Sequence, residues 1–253
     1  MLETSNHLDE LLAQAAKNPA VRPEFYRALL EDTLLVLTPF EEAVYGEQTL
    51  KKDENIKLVN WVLKEKQFIP VFTSIERMNE ALQGVSEKYN YLAMKGSSLL
   101  SILSQEDTSM ILNARCSIGK EFTINEIQQL ANGKYFEPNR TEVVQKERKV
   151  LLGQPKEYPH ELIDALKQLF SKYPCIEAAY LAHMVDPESG DAPHTLIGYR
   201  ASGDCTQVLQ DAGVIARELA PKGSPIDFTE LGKGGGVEDY LTKETTPFYQ
   251  KQG

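Results

Sequence analysis

The chain has 253 residues, 42% of them hydrophobic and 25% charged, with a formal net charge of −10 and a sequence pI near 5.0. That length suits one large domain or two ordinary ones, and the charge divides evenly about residue 148, so no basic half or cluster exists to neutralise nucleic-acid phosphates. No segment reaches the roughly 18 apolar residues of a membrane span, and Met1–Asp9 has neither the basic start nor the apolar run of a secretory signal, which together predict a cytoplasmic protein.

Leu8, Leu11, Leu12 and Ala15 make one helical stripe. Pro23 opens a second short helix carrying Phe25, Tyr26, Leu29 and Leu30. Thr33 to Leu37 reads as a compact strand ended by Thr38-Pro39, and the polar run from Glu41 to Asn55 as a loop. Ile56 to Leu63 and Phe68 to Phe72 flank Lys64-Glu65-Lys66 and read as a hairpin, with Pro70 suggesting an edge or a bulge. Thr73-Ser74-Ile75-Glu76 has the spacing of a capping box with Thr73 as the cap, and opens a helix running to Gly84. A strand (Tyr89–Met94), a short helix (Ser97–Ser104) and another strand (Ser109–Leu112) follow. A second capping box, Thr123 to Glu126, starts a helix closed by Asn132-Gly133. Residues 1–133 thus form a mixed α/β domain, and residues 134–148, rich in charge and holding Pro138, read as a linker.

Residues 149–253 carry the strongest pattern. Leu162, Ile163, Leu166, Leu169 and Phe170 repeat the template of Val208, Leu209, Ala212, Ile215, Ala216 and Leu219, one apolar stripe at helical period. With strands at 150–152, 176–185, 195–199 and 226–231, the order β-α-β-β-α-β predicts a ferredoxin-like domain. Its antiparallel sheet would carry two helices on one face and leave the other open. The fold class is therefore α+β.

The chemistry-bearing residues do not converge. Cys116, Cys175 and Cys205 are odd in number and widely spaced, which fits neither a disulfide framework nor a cysteine-rich zinc site and assigns Cys175 and Cys205 to packing. Cys116 lies between Arg115 and Lys120, which would favour a thiolate, but no histidine is spaced to serve as its base. Gly232-Lys233-Gly234-Gly235-Gly236 precedes a helical 237–241 and could bring amides to an anion, yet it matches neither the P-loop nor the dinucleotide fingerprint. His183 and His194, with Asp186, Glu188 and Asp191 in the intervening turn, lack recognised ligand spacing. No catalytic set, metal or cofactor is assigned.

Ile69-Pro70-Val71-Phe72-Thr73-Ser74, Leu112-Asn113 and Gly119-Lys120-Glu121-Phe122 together resemble the N-terminal domain of the enhanced serine sensitivity protein SseB family. Val150 through Pro159 and the closing Pro247-Phe248-Tyr249 resemble its C-terminal domain. Ala114 departs from the proline common there. The resemblance implies a bacterial protein without an assigned reaction, linked by the family's name to serine sensitivity. Phe72 reads as a core anchor and Gly119 as a positive-φ turn, so Asn113 and Lys120 remain as candidate surface residues.

Three functions compete. The first is a non-enzymatic adaptor or regulator that meets a protein partner, or a second copy as a homodimer, through the open sheet face. The second is a small-molecule sensor, since ferredoxin-like domains resemble amino-acid-binding modules of the ACT type; the loop Gly153-Gln154-Pro155 is then the place to look, with Gly232 and Lys233 as further binding candidates. The third is an enzyme of unknown reaction. Nucleic acid and membrane are excluded as partners.

Overall fold

The structure, a computed structural model, describes residues 6–41, 56–137, 149–187, 192–220 and 225–252. Its contacts group into two units: residues 1–17 with 24–135, and residues 18–23 with 136–253. The sequence expectation for the loop at 41–55 lies almost wholly outside the described residues, as do most of the linker and Glu188 and Asp191.

The first unit contains α1 (His7–Ala15), most of α2 (Arg22–Glu31), β1 (Thr33–Pro39), β2 (Trp61–Leu63), β3 (Lys66–Phe72), α3 (Ile75–Leu82), β4 (Tyr89–Lys95), α4 (Gly96–Leu103), β5 (Ser109–Leu112), β6 (Lys120–Phe122) and α5 (Ile124–Ala131). The strands pair in the order β4-β1-β3-β5-β6, with β2 beside β3. Leu34, Leu35, Val36 and Leu37 are all buried, so β1 shows no alternation and has core on both faces. On one face α3 supplies Met78 and Ala81 to Leu35, Leu37 and Phe72. Phe25, Tyr26, Phe122 and Tyr135 form an aromatic cluster joining α2 to β6. The Lys64-Glu65 turn takes positive φ at both residues, the conformation a tight hairpin requires, and closes β2 on β3.

Three local expectations change. Ser74, not Thr73, caps α3 by accepting the Arg77 N–H, because the Thr73 hydroxyl is engaged elsewhere. Pro70 sits in an interior strand opposite Ile111. Along its other edge β3 pairs β2 at 66–68 and β1 at 71–72, and Pro70 falls in the gap, where a missing N–H costs no ladder bond. Gly119 does not take positive φ; a Cβ there would meet the carbonyl oxygens of Leu112 and Asn113 at 2.7 and 2.9 Å. The left-handed positions are Asn113 (φ 52°) and Arg115 (φ 62°).

The second unit contains β7 (Leu151–Gly153), α6 (His160–Phe170), β8 (Ile176–Val185), β9 (His194–Ala201), α7 (Thr206–Leu219), β10 (Ile226–Glu230), α8 (Gly236–Lys243) and β11 (Tyr249–Gln250). The β-α-β-β-α-β element order is present, but the ferredoxin-like strand order is not. That order would place β7 beside β9; instead β7 and β11 share the outer edge of β8, β8 pairs β9 antiparallel, and β9 pairs β10 in parallel. The helical stripes fix which residues are buried, but they do not specify strand partners.

Both stripes pack as their spacing demands. Leu162, Ile163, Leu166, Leu169 and Phe170 of α6 and Val208, Ala212, Ile215 and Ala216 of α7 bury against Ala179, Leu181 and Ile197. The opposite face is not open. Ala178, Tyr180, Ala182 and Leu196 pack with Leu231 and with Leu241 of α8, which also brings Val237 and Tyr240. A Cβ on Gly198 would run into Leu241 Cδ1, so the glycine lets α8 lie close. The bare face invoked for docking is covered by this eight-residue helix.

The segment 18–23 completes the first of these cores. A 3-10 turn, Pro19–Val21, places Ala20 in the cluster, Asn18 donates to Gln168 at 2.8 Å and Arg22 pairs with Glu218 at 2.8 Å. Cys175, before β8, and Cys205, before α7, meet as a disulfide with Cα atoms 6.0 Å apart. Spacing along the chain hid this pairing, because the two residues are 30 positions apart yet share one corner where Ser202 N–H donates to the Cys175 carbonyl.

Candidate functional site

Two polar assemblies stand out, one closed and one open. The closed one lies in the first unit around Asp9, which is fully buried. Thr73 Oγ1 donates to Asp9 Oδ1 at 2.7 Å, Asn113 Nδ2 to the same oxygen at 2.9 Å, and Arg77 Nε to Oδ2 at 2.7 Å. The Thr73 N–H donates to Asn113 Oδ1 at 3.0 Å. Arg77 Nη1 continues to Glu80 Oε2 at 2.8 Å, and Glu80 Oε1 accepts the Ser117 N–H at 3.0 Å. Burial opposes the guanidinium charge, but the Asp9 and Glu80 carboxylates outweigh it and hold Arg77 above its ordinary pKa. Arg77 and the Ser117 amide in turn hold Glu80 below the usual carboxylate range. Among the described residues no buried side-chain nitrogen or oxygen lacks a partner. The assembly is a strut joining α1, α3 and the turn after β5, with no group free to meet a substrate.

This places Asn113, which is 1% exposed and hence not a surface residue. Lys120 is bound locally as well: Nζ lies 3.2 Å from Glu126 Oε1 and 4.8 Å from the Phe122 ring centroid. Glu126 belongs to the capping box with Thr123, as the sequence spacing predicts. Cys116 is not an activated thiol. Burial first, and the Glu80 carboxylate second, push its pKa up to about 11, against the opposing pull of Arg77.

The glycine loop before α8 is also filled from within. Gly232 and Gly234 N–H groups both donate to Glu238 Oε2 at 2.8 Å, and Arg200 approaches Oε1 at 3.5 Å. These bonds lower the Glu238 pKa. Gly232, Gly234 and Gly235 all take positive φ, which orients the amides onto this internal anion. Lys233 projects to solvent with Glu230 3.7 Å away.

The open assembly is a groove of about 570 Å³ in the second unit. Gln154, Lys156 and Glu157 from the β7–α6 loop form its rim together with Glu161 from the first turn of α6; His183 comes from β8, and Leu162, Leu219 and Ile226 supply apolar surface. Gly153 ends β7 opposite His183, and the loop whose residues line the groove follows it in the chain. Gln154, Lys156, Glu157, Glu161 and His183 enter no side-chain hydrogen bond or ion pair among the described residues. Pro159, at the N-cap of α6, makes no side-chain cap. His194 is committed to the wall: Nδ1 lies 3.1 Å from the Ala192 carbonyl and Nε2 2.9 Å from Asp227 Oδ2. A second depression of about 560 Å³, reaching Lys167, Lys243 and Thr245, shares Gln154. No group of three or more metal-ligating side chains gathers among the described residues. Of the sequence candidates, Gln154 lines this groove with Pro155 beside it, and His183 and His194, considered in the sequence only as metal ligands, line it too; Lys156, Glu157 and Glu161 were missed because they are exposed charged residues with no motif, drawn from a loop and a helix.

Comparison with known proteins covers both units. The model for the SseB protein N-terminal domain matches residues 8–129, and that for the SseB protein C-terminal domain matches residues 144–251. The chain is similar to Protein SseB of Escherichia coli (strain K12), with 31% identity over 254 residues covering all of this chain and 95% of that protein. It is similar to the same extent to Protein SseB of Shigella flexneri. No solved structure matches.

Proposed function

The chain belongs to the SseB family, and on that premise we propose that it is a non-enzymatic regulatory protein whose C-terminal unit binds a small zwitterionic molecule of the amino-acid class. The groove over α6 carries this reading. It offers an ammonium (Lys156) and carboxylates (Glu157, Glu161) without partners among the described residues, beside apolar surface from Leu219 and Ile226. Its volume falls in the range of small-ligand sites. Lys156 would face the ligand carboxylate, Glu157 or Glu161 the ammonium, and Gln154 a polar side chain. The names of the family models and of the relatives state no reaction.

Thermal denaturation against each common amino acid at millimolar concentration, serine included, tests this. A ligand present at 100 times its Kd stabilises the native state by about 2.7 kcal/mol, and Lys156→Ala or Glu161→Gln should abolish the shift. No stabilisation by any of them removes the reading. A second reading, contact with a protein partner or a second copy, rests on a different feature. Val62 and Leu63 at the end of the β2–β3 hairpin are 66% and 56% exposed, an apolar tip that a partner would cover. Sedimentation at increasing concentration, with Leu63→Asp as control, distinguishes self-association from a monomer. No helix among the described residues is long and apolar enough to cross a membrane.

A further inference from the structure

We propose that Cys175 and Cys205 form a reversible dithiol–disulfide couple through which redox conditions set the stability of the C-terminal unit. The two sulfurs differ in access. Cys205 is 7% exposed within the hydrophobic cluster, whereas Cys175 lies half-buried at a turn that a small thiol can reach. Lys251 Nζ donates to the Pro174 carbonyl at 2.8 Å and so fixes the turn that carries Cys175, the more accessible sulfur and hence the one an incoming small thiol or disulfide meets first. The corner also survives opening of the bond. Ser202 N–H donates to the Cys175 carbonyl at 2.8 Å, and Tyr173 Oη donates to Asp211 Oδ2 on α7 at 2.7 Å. These bonds keep the two thiols adjacent in the reduced protein, so the bridge can re-form without refolding.

The oxidant is a low-molecular-weight disulfide such as oxidised glutathione. The Cys175 thiolate attacks one of its sulfurs, forming a mixed disulfide and releasing one glutathione thiolate. Cys205 loses its proton and attacks the Cys175 sulfur, closing the bridge and releasing the second glutathione. Two thiols are oxidised, one glutathione disulfide is reduced to two thiols, and excess small thiol runs the sequence backwards.

The full chain carrying Cys116→Ser, which leaves this pair as its only cysteines, is equilibrated natively with oxidised glutathione or with dithiothreitol. It is then unfolded in N-ethylmaleimide and weighed. The reduced sample should take up two maleimides and the oxidised sample none, through a full cycle in either direction. Bridging a 30-residue separation should raise the melting temperature of the C-terminal transition by about 10 °C. Cys175→Ser should remove that redox response. Two maleimides after oxidised glutathione, a bridge that native dithiothreitol leaves closed, or equal melting temperatures for the two forms would each overturn the proposal. The mass measurement needs no further variant, so a Cys175→Ser protein that fails to fold leaves the test intact.

Discussion

Replacing Asp9 by Asn tests whether the buried strut holds the first unit together. The change keeps the size of the side chain and an oxygen that can still accept from Thr73 and Asn113. It sets an amide nitrogen against Arg77 Nε, now 2.7 Å from Asp9 Oδ2, and leaves a guanidinium of 6% side-chain exposure without its main counter-charge. Removing one partner of a buried pair costs about 3–5 kcal/mol. Arg77 keeps Glu80 at 2.8 Å, so the lower end, about 3 kcal/mol, is expected. For a unit of this size that is a fall of about 10 °C in Tm. Trp61 is the chain's single tryptophan and lies in the first unit, with the Phe68 and Phe72 ring centroids each 6.3 Å from its own. Its fluorescence therefore reports that unit's unfolding in urea separately from the other. The Asp9→Asn midpoint should drop, and Arg77→Met added to Asp9→Asn should recover part of the loss by removing the stranded charge. An unchanged Trp61 midpoint in Asp9→Asn, or a double variant less stable than the single one, would refute the account.

The native Cys116 thiol should react with Ellman's reagent about 100-fold more slowly at pH 8 than an ordinary thiol, its rate climbing with pH until about 11; a plateau near pH 9 would contradict the burial argument. Because the folded state raises this pKa, the stability it contributes is complete below the ordinary thiol range and is lost as pH rises from about 9 toward 11. Glu238 has the opposite sign: its folded pKa is lowered, so its support of the α8 loop is present above the ordinary carboxylate range and disappears as pH falls below it. Hydrogen exchange corrected for intrinsic rates should show the Gly232 and Gly234 amides losing protection on acidification, and unprotected at every pH in Glu238→Ala, which removes the acceptor.

Local chemistry was legible where a few neighbouring residues decide it. The Thr123–Glu126 box, the Lys64-Glu65 turn and the two apolar stripes each sit within one element, and each is found where the spacing puts it. What depends on partners far along the chain was not. Asp9 meets Thr73, Arg77 and Asn113 across 64, 68 and 104 positions, so Thr73 read as a cap and Asn113 as a surface residue. The strand order of the second unit is likewise set by pairing that periodicity does not encode. The short helix over its second face starts from a run of glycines, and only the packing of Leu241 against Gly198 reveals its place. At the groove the sequence marked the Gly153-Gln154 loop, while the charged rim around it carries no signature beyond ordinary solvated side chains.

The six residues at positions 18–23 have a practical corollary for how this polypeptide is cut. Ala20 is buried in the cluster that holds Leu162 and Leu166, and Arg22 pairs with Glu218, yet the match to the family's C-terminal model begins at 144. A recombinant fragment trimmed to that match is missing this segment, and its bared apolar surface invites aggregation that says nothing about the intact molecule. Supplying the hexapeptide in trans, or grafting it through a glycine-serine tether, is the way to obtain the isolated half in native form.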